Sequence, residues 1–308
     1  PERSIRNLVD MALYFSDGRY QRNFFTVAQE MLCNEQSAYY PLLRDLLAHV
    51  DEERLLDFGM ALGYQGFVRG AKTIRAAEAE RDCNVPWFLT LHMDSGTYPG
   101  QKEAYRRLLG EARTLGTHGC LLLPDGKPQE IIDLAAAFPD CFFLLACGGE
   151  LVTAALAEEA ESVHNLVFAP YGEQAEEACA LLREKRFLYA LSIRYGAAEA
   201  EDIAGGEWYS WAENCHAPLT LLLPDRECPA QAQEQVYGSV LSQRRRQTYR
   251  TIPWETVRDG QMVDSVLSGA PCTVTLDSRG FLEGTEENAF ALGFSAQLKR
   301  SFPRKTNG

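Results

Sequence analysis

The sequence predicts an α/β protein, a partial (β/α)6 TIM-like barrel that lies between a helical N-terminal region and a C-terminal extension. Two observations carry this prediction. From Val85 onward, short apolar runs alternate with amphipathic helical stretches, and the alternation repeats six times. The apolar runs contain almost no polar residues, as expected where helices cover a parallel sheet. An open doubly wound sheet is the alternative architecture.

The N-terminal region, residues 1–84, is predicted to be helical. The stretches "SIRNLVDMAL" (4–13) and "PLLRDLLAHV" (41–50) both place apolar residues on one helical stripe. Four glycines between residues 59 and 70 are expected to interrupt this pattern. A further short helix is predicted in "AKTIRAAEAER" (71–81).

The barrel is predicted to occupy residues 85–250, and the C-terminal extension residues 251–308. The six predicted strands are "PWFLTLH", "GCLLLP", "CFFLLAC", "NLVFAP", "FLYALSI" and "PLTLLLP". In the extension, "CTVTLDSRGFLEG" predicts a β-hairpin that turns at Ser278–Gly280. The first three strands are expected to pair in parallel.

Polar side chains follow the ends of these strands, which is where ligands collect in parallel α/β proteins. His92 and Asp94 are candidates for a general base and the group that orients it, although a hydrogen-bonded structural histidine is the commoner case. Lys127 is a candidate electrostatic stabiliser. The candidate ligand-binding residues are Asp125, Lys127, Glu150, Tyr171 and Arg194.

Charge and cysteine usage exclude several classes of function. The net charge of −13 argues against a nucleic-acid groove or an anionic membrane surface as a partner. The nine cysteines form no C-x-x-C pair, so we expect free thiols in a reducing cytoplasm and no disulfide framework. His92 and Asp94 could also be two ligands of a metal, but no other histidine has a second His or Cys at metal-ligand spacing, so no metal site is predicted. The sequence does not identify a protein partner.

The stretch "EARTLGTHGCLLLPDGKPQEIIDLAAAFPDCFFLLACGGELVTAALAEEAESVHNLVFA" resembles the core of radical S-adenosylmethionine (radical SAM) proteins. In that family one strand closes on Gly-Gly-Glu-Pro, the next on a Thr-Asn-Gly-like turn, and an "LAEE"-like helix follows. The resemblance covers about residues 85–225, and "TVTLDSRGFLEGT" is similar to the family's C-terminal hairpin. It implies a partial barrel that holds a [4Fe–4S] cluster and S-adenosylmethionine (SAM).

Three departures from the family pattern affect the same cofactor system. The loop that would carry C-x-x-x-C-x-x-C is "HMDSGTYPG", and no cysteine lies between Cys83 and Cys120. Lys127 stands where the family's glutamate would meet the SAM ammonium, which reverses the charge and favours an anionic ligand. Thr285 replaces the last cysteine of the hairpin. The sequence therefore predicts neither cluster nor SAM as a cofactor.

Three functions remain open at this point. The first is a radical-SAM-like barrel that has lost its cluster site and acts as a non-redox binding or regulatory protein for a small molecule or peptide. The second is a cluster-independent enzyme, of the hydrolase or lyase type, that uses His92, Asp94 and Lys127. The third is an active radical SAM enzyme, which the missing thiolates disfavour. The first is preferred because no strand end combines a nucleophile, a base and an oxyanion donor.

Overall fold

A computed structural model describes residues 34–268 and 270–304. The helix predicted at 4–13 lies outside these residues. The described chain forms two compact units, one made of the residues up to His49 with Ile193–Thr256, and the other of Val50–Ser192 with the residues from Val257 onward. We call them unit 1 and unit 2. The division at residues 84 and 250 stays a prediction.

The described part of the N-terminal region is helical. It contains α1 (Tyr39–His49), α2 (Glu52–Gly59), a π-helix (Met60–Gly70) and α3 (Ala71–Arg81). The carboxylate of Asp51 begins α2 by accepting the N–H groups of Glu53 and Arg54.

The prediction that glycines interrupt the helix between residues 59 and 70 is wrong. The chain continues there as a π-helix, whose turns are wider than those of an α-helix. Gly70 has a packing role in this segment, because a Cβ there would lie 2.6 Å from the carbonyl oxygen of Gly116. Glycine permits a close approach of two backbones at this position, without ending the helix.

Unit 2 contains a parallel five-stranded sheet, whose strands lie in the order β4 (Leu166–Tyr171), β3 (Phe142–Gly148), β2 (Gly119–Asp125), β1 (Phe88–Asp94) and β8 (Val274–Leu276). The predicted parallel pairing of the first three strands is confirmed, with Leu89 opposite Cys120 and Gly119 opposite Phe142. Short helices connect the strands and cover them. The elements are β1 (Phe88–Asp94), α4 (Tyr98–Leu115), β2 (Gly119–Asp125), α5 (Ile132–Ala136), β3 (Phe142–Gly148), α6 (Ala154–Glu159), β4 (Leu166–Tyr171) and α7 (Ala175–Glu184).

Unit 1 contains a three-stranded sheet in the order β5-β6-β7. Its core joins Ile193, Tyr195 and Leu222 of the sheet to residues of the helices that follow the strands. Strand β7 was not predicted. The elements are β5 (Ala190–Tyr195), which begins in unit 2, α8 (Ala200–Gly205), α9 (Glu207–Asn214), β6 (Leu219–Pro224), α10 (Ala230–Arg246) and β7 (Ile252–Glu255).

The last described elements are α11 (Thr256–Ser268), β8 (Val274–Leu276), α12 (Ala289–Leu292) and α13 (Phe294–Ser301). The predicted hairpin is confirmed: Leu276 bridges Leu282 in antiparallel fashion, and Gly280 has a φ of +84° in the turn. Its first arm, β8, also pairs in parallel with β1, which was not predicted. Among the described helices, none is long and apolar enough to cross a membrane.

Candidate functional site

The side chains of β1 alternate between a buried face and a more open one. Leu91 and Met93 are buried, whereas His92 is exposed and Asp94 is half-buried. Because side chains alternate along a strand, His92 and Asp94 share the open face. The strand therefore presents both candidate catalytic residues on the same side of the sheet.

Because β1 to β4 are parallel, their carboxyl ends lie at one border of the sheet, which we call the carboxyl edge. Asp94 lies opposite Asp125, and Gly148 lies opposite Tyr171 in the strand register. The carboxylate of Glu150 folds over Gly148, where it would clash with any added Cβ. The structure thus places Asp94, Asp125, Glu150 and Tyr171 along the same edge, as the sequence predicted for parallel strand ends.

The loop that follows β1 is organised by the carboxylate of Asp94. Its Oδ1 accepts the N–H of Gly96 at 2.8 Å, and the carbonyl oxygen of Asp94 accepts the N–H of Thr97 at 3.1 Å. Ser95 ties this loop to the next one by donating its N–H to the carbonyl oxygen of Asp125 at 3.1 Å. One carboxylate oxygen of Asp94 is therefore engaged in forming a turn.

Ser95 leaves one polar atom without a hydrogen bond at this edge. Its Oγ is buried and has no hydrogen-bond partner in the described part of the chain. The hydroxyl lies beside Gly126, which has a φ of +100°, and a Cβ there would come within 3.6 Å of it. A buried hydroxyl without a partner carries a free-energy cost, which a bound molecule or water can relieve.

Gly148 and Gly149 of "ACGGELV" lie where neighbouring atoms leave no room for a side chain. Neither has a positive φ, so the tight left-handed turn that glycine pairs often form is absent here. A Cβ on Gly149 would instead overlap the backbone of Gln174 in the loop after β4. The single 3-10 turn at Gly149–Leu151 that follows the glycines is too short to form a helical anion site.

The charge balance of the carboxyl edge is negative. Asp94, Asp125 and Glu150 supply carboxylates, and Lys127 is an exposed ammonium in the loop after β2. Like charges along one edge favour a cationic or neutral ligand over an anionic one. This arrangement does not support the anionic ligand that Lys127 alone suggested.

Arg194, the fifth candidate ligand-binding residue, lies on β5. It belongs to unit 1, where its Nε is 3.4 Å from Oδ1 of Asp225 and both side chains are about half exposed. An exposed pair of this kind contributes little to stability, because water screens both charges. Arg194 is therefore described within unit 1, and its role in ligand binding stays a prediction.

An aromatic cluster, which we call the aromatic floor, lies at the opposite end of the same strands. It was not predicted. Phe88, Gly119 and Phe142 share one row of the sheet, and Gly119 leaves room for both rings. The ring centroids of Phe67 and Trp87 are 4.8 Å apart, and those of Phe58 and Phe142 are 6.0 Å apart. The N-terminal helices thus supply the rings that close this end of the sheet.

The positions of the cysteines decide whether the chain can hold the [4Fe–4S] cluster that the family resemblance implies. An iron–sulfur cluster needs thiolate ligands. The loop after β1 offers the oxygen atoms of Asp94, Ser95 and Thr97. These groups do not fit the three-thiolate ligand set of the family.

The thiols elsewhere in the fold are of the structural kind. Eight cysteines of the described chain are free, and six of these are buried. Burial raises the pKa of Cys141 and of Cys147 to about 12 and raises the pKa of Cys120 well above its usual value. Within residues 34–268 and 270–304, no group of three His, Cys, Asp or Glu side chains is arranged to hold a metal.

Comparison with known proteins gives a match at the level of structure. No protein-family model and no curated protein matches the chain. Among solved structures, SuiB from Streptococcus suis matches with a TM-score of 0.51 and 11% identity, over 74% of this chain and 69% of SuiB. SuiB bound to S-adenosylmethionine matches with a TM-score of 0.52 and 11% identity, over the same shares. SuiB bound to the precursor peptide SuiA matches with a TM-score of 0.50 and 10% identity, over 72% of this chain and 66% of SuiB.

These matches establish the fold class. The α/β architecture and its parallel sheet agree with the predicted radical-SAM-like, TIM-like barrel, and the structural neighbours are of that class. At this level of identity the likeness shows the fold alone. The chemistry of the chain must be argued from its own residues.

Proposed function

We propose that this chain is a radical-SAM-like barrel protein that works without an iron–sulfur cluster and binds a small molecule or a peptide at the carboxyl edge. The observation that carries the proposal is the loop after β1. It contains no thiol, and its first carboxylate, Asp94, is hydrogen-bonded within the loop to Gly96. Because hydrogen bonds within the loop fix its conformation, the loop can line a binding site. It offers iron no thiolate ligand.

Two further observations support a binding role. The edge combines carboxylates from Asp94, Asp125 and Glu150 with the phenol of Tyr171, and the buried hydroxyl of Ser95 can accept or donate a hydrogen bond. Pockets that bind small molecules combine an apolar wall with a few polar groups of this kind. The carboxylates favour a ligand with an amine, such as a peptide.

A ligand retained through purification tests the proposal. Native mass spectrometry of the purified protein, followed by denaturing extraction, should reveal a bound molecule that Asp125→Asn and Glu150→Gln variants retain less well. Glu158→Gln is the matched control, because Glu158 pairs with Lys185 away from the edge. Equal retention by all variants would exclude the carboxyl edge as the binding site.

Titration with SAM tests the cofactor part of the proposal. We expect no heat of binding in calorimetry at SAM concentrations up to about 1 mM, which corresponds to a binding free energy weaker than about −4 kcal/mol. A dissociation constant in the low micromolar range would contradict it. A Lys127→Glu variant tests whether the positive charge at this position is what prevents SAM binding. A gain of SAM affinity in that variant would show that it is.

A cluster-independent hydrolase or lyase is the second candidate. It is favoured by the placement of His92 and Asp94 on the same open face of β1. Screening ester, amide and lyase substrates would detect such an activity. It should fall at least about 100-fold in His92→Ala, the usual effect of removing a general base. Turnover that is unchanged by His92→Ala would remove this candidate.

A further inference from the structure

The segment that leads into β1 is held by two buried carboxylates from different helices. Glu78 of α3 accepts the N–H of Val85 at 2.9 Å. Asp264 of α11 accepts the N–H of Trp87 at 2.8 Å through Oδ1 and the N–H of Cys272 at 3.2 Å through Oδ2. Glu78 and Asp264 are 1% and 3% exposed. One carboxylate, Asp264, therefore bonds the entry of β1 and the entry of β8.

This junction lies where residues 270–304, the part of the C-terminal extension that follows α11, meet the sheet. The N–H of Asn84 bonds to the carbonyl oxygen of Phe302 at 2.8 Å, and Cys83 bridges Pro303. Strand β8 then continues beside β1 from Val274 onward. Asp264 therefore accepts hydrogen bonds from Trp87, directly before β1, and from Cys272, two residues before β8.

We propose that Asp264 is a proton-sensitive clamp, which holds residues 270–304 of the C-terminal extension on the start of β1 more tightly in mildly acidic solution than at alkaline pH. The geometry carries the inference: a single buried carboxyl bonds both segments, and a second buried acid acts on it. Two carboxylates that are buried close together repel each other. Protonation of Asp264 removes its charge and so relieves its repulsion with Glu78.

The groups around Asp264 come from every element of the junction. Glu78 faces it from α3, Cys272 from the segment before β8, and Cys83 lies in the segment before β1. Arg75 of α3 donates its Nε to the carbonyl oxygen of Leu267 at the end of α11. Lys299 and Arg81 act on Cys83 at the outer side of the junction. The charge of Glu78 acts on Asp264 and raises its pKa.

The direction of the pH dependence follows from the burial of Asp264. Burial raises its pKa to about 7 against the opposing effect of the two N–H bonds, and the charge of Glu78 adds to the rise. When the extension detaches, the carboxyl becomes exposed and its pKa returns to about 4. The attached state therefore binds more protons, so attachment weakens as the pH rises from about 4 to about 7 and is constant above.

Hydrogen exchange measured by mass spectrometry tests the clamp on the full chain. Peptides that cover residues 84–88 and 270–276 should lose protection between pH 5 and pH 7, by up to about tenfold per pH unit after correction for the intrinsic exchange rate. Their protection should be level above about pH 8. Wild-type protection that does not change with pH in these peptides would overturn the proposal.

Two variants and a control assign the effect to Asp264. In Asp264→Asn the slope between pH 5 and pH 7 should vanish, and an unchanged slope would overturn the proposal. Glu78→Gln keeps the acceptor for Val85 but removes the charge, so the midpoint should move to lower pH. An unmoved midpoint would contradict the clamp even if Asp264→Asn failed to fold. Glu286→Gln, an exposed acid of the extension, should keep the wild-type profile.

Discussion

At the scale of single residues, the carboxyl edge contains a hydrogen-bonded turn that begins at Asp94. Asp94 accepts the N–H of Gly96, two residues ahead of it. This is the local bond by which aspartate stabilises turns. The sequence "DSG" carries a signal for that turn, but our sequence prediction used Asp94 as a partner of His92. Both readings place Asp94 at a strand end, and the bond to Gly96 now adds a structural role.

The glycine pair gives a prediction at this scale. Replacing Gly149 by alanine should destabilise the protein by about 1–3 kcal/mol or more, because the new Cβ would overlap the backbone around Gln174. Chemical denaturation would measure the loss. Gly110→Ala is the matched control: it lies in α4 with no atom within 4 Å of the added Cβ, so it should stabilise by about 1 kcal/mol. Equal effects of both substitutions would contradict the packing argument.

At the scale of elements, the helices and strands that local patterns specify were predicted, and those that depend on distant partners were not. Strands β1 to β6 follow apolar runs that are visible in the sequence. Strand β7 was not predicted, and it contains Pro253, which cannot donate to a sheet. The segment of β8 was predicted as an arm of the hairpin, but its pairing with β1 was not. Long-range pairing of such short segments leaves no periodic signal.

The connection between α2 and the end of α6 gives a prediction at the same scale. Arg54 is 4% exposed and donates to the carbonyl oxygens of Val163, at 3.0 Å, and of Ala160, at 3.3 Å. It also donates to the carbonyl oxygen of Glu161, and its guanidinium stacks on the ring of Phe187 at 3.8 Å. These carbonyl groups follow helix α6, so the guanidinium satisfies a helix end.

Lysine cannot reproduce that planar set of donors. We expect Arg54→Lys to lower the free energy of unfolding by about 2–4 kcal/mol, because buried carbonyl groups lose their partners. Arg113→Lys is the control, since Arg113 pairs with Asp140 at 3.2 Å at a half-exposed site and should change stability by about 0.5 kcal/mol or less. Urea denaturation would measure the free energy of unfolding of both variants. Similar losses of stability in the two would argue against a capping role for Arg54.

At the scale of the whole molecule, the sequence predicted the fold class better than the site. Alternating apolar runs and helices specify a parallel sheet, and the structural neighbours agree with a radical-SAM-like barrel. The placement of Asp94, Asp125, Glu150 and Tyr171 on one edge follows from that architecture alone. The aromatic floor and the clamp at Asp264 were not predicted, because they join segments that are far apart in the sequence.

Iron analysis tests the proposal that this barrel works without an iron–sulfur cluster. The protein would be purified without oxygen, reconstituted with iron and sulfide, desalted and assayed for both elements and for absorbance near 400 nm. We expect no stoichiometric iron or acid-labile sulfide, because the loop after β1 has no thiol. Buried thiols such as Cys120 and Cys147 have raised pKa values, which disfavours the thiolate form that binds iron. About four irons and four sulfides per chain, with the brown colour of a cluster, would contradict it.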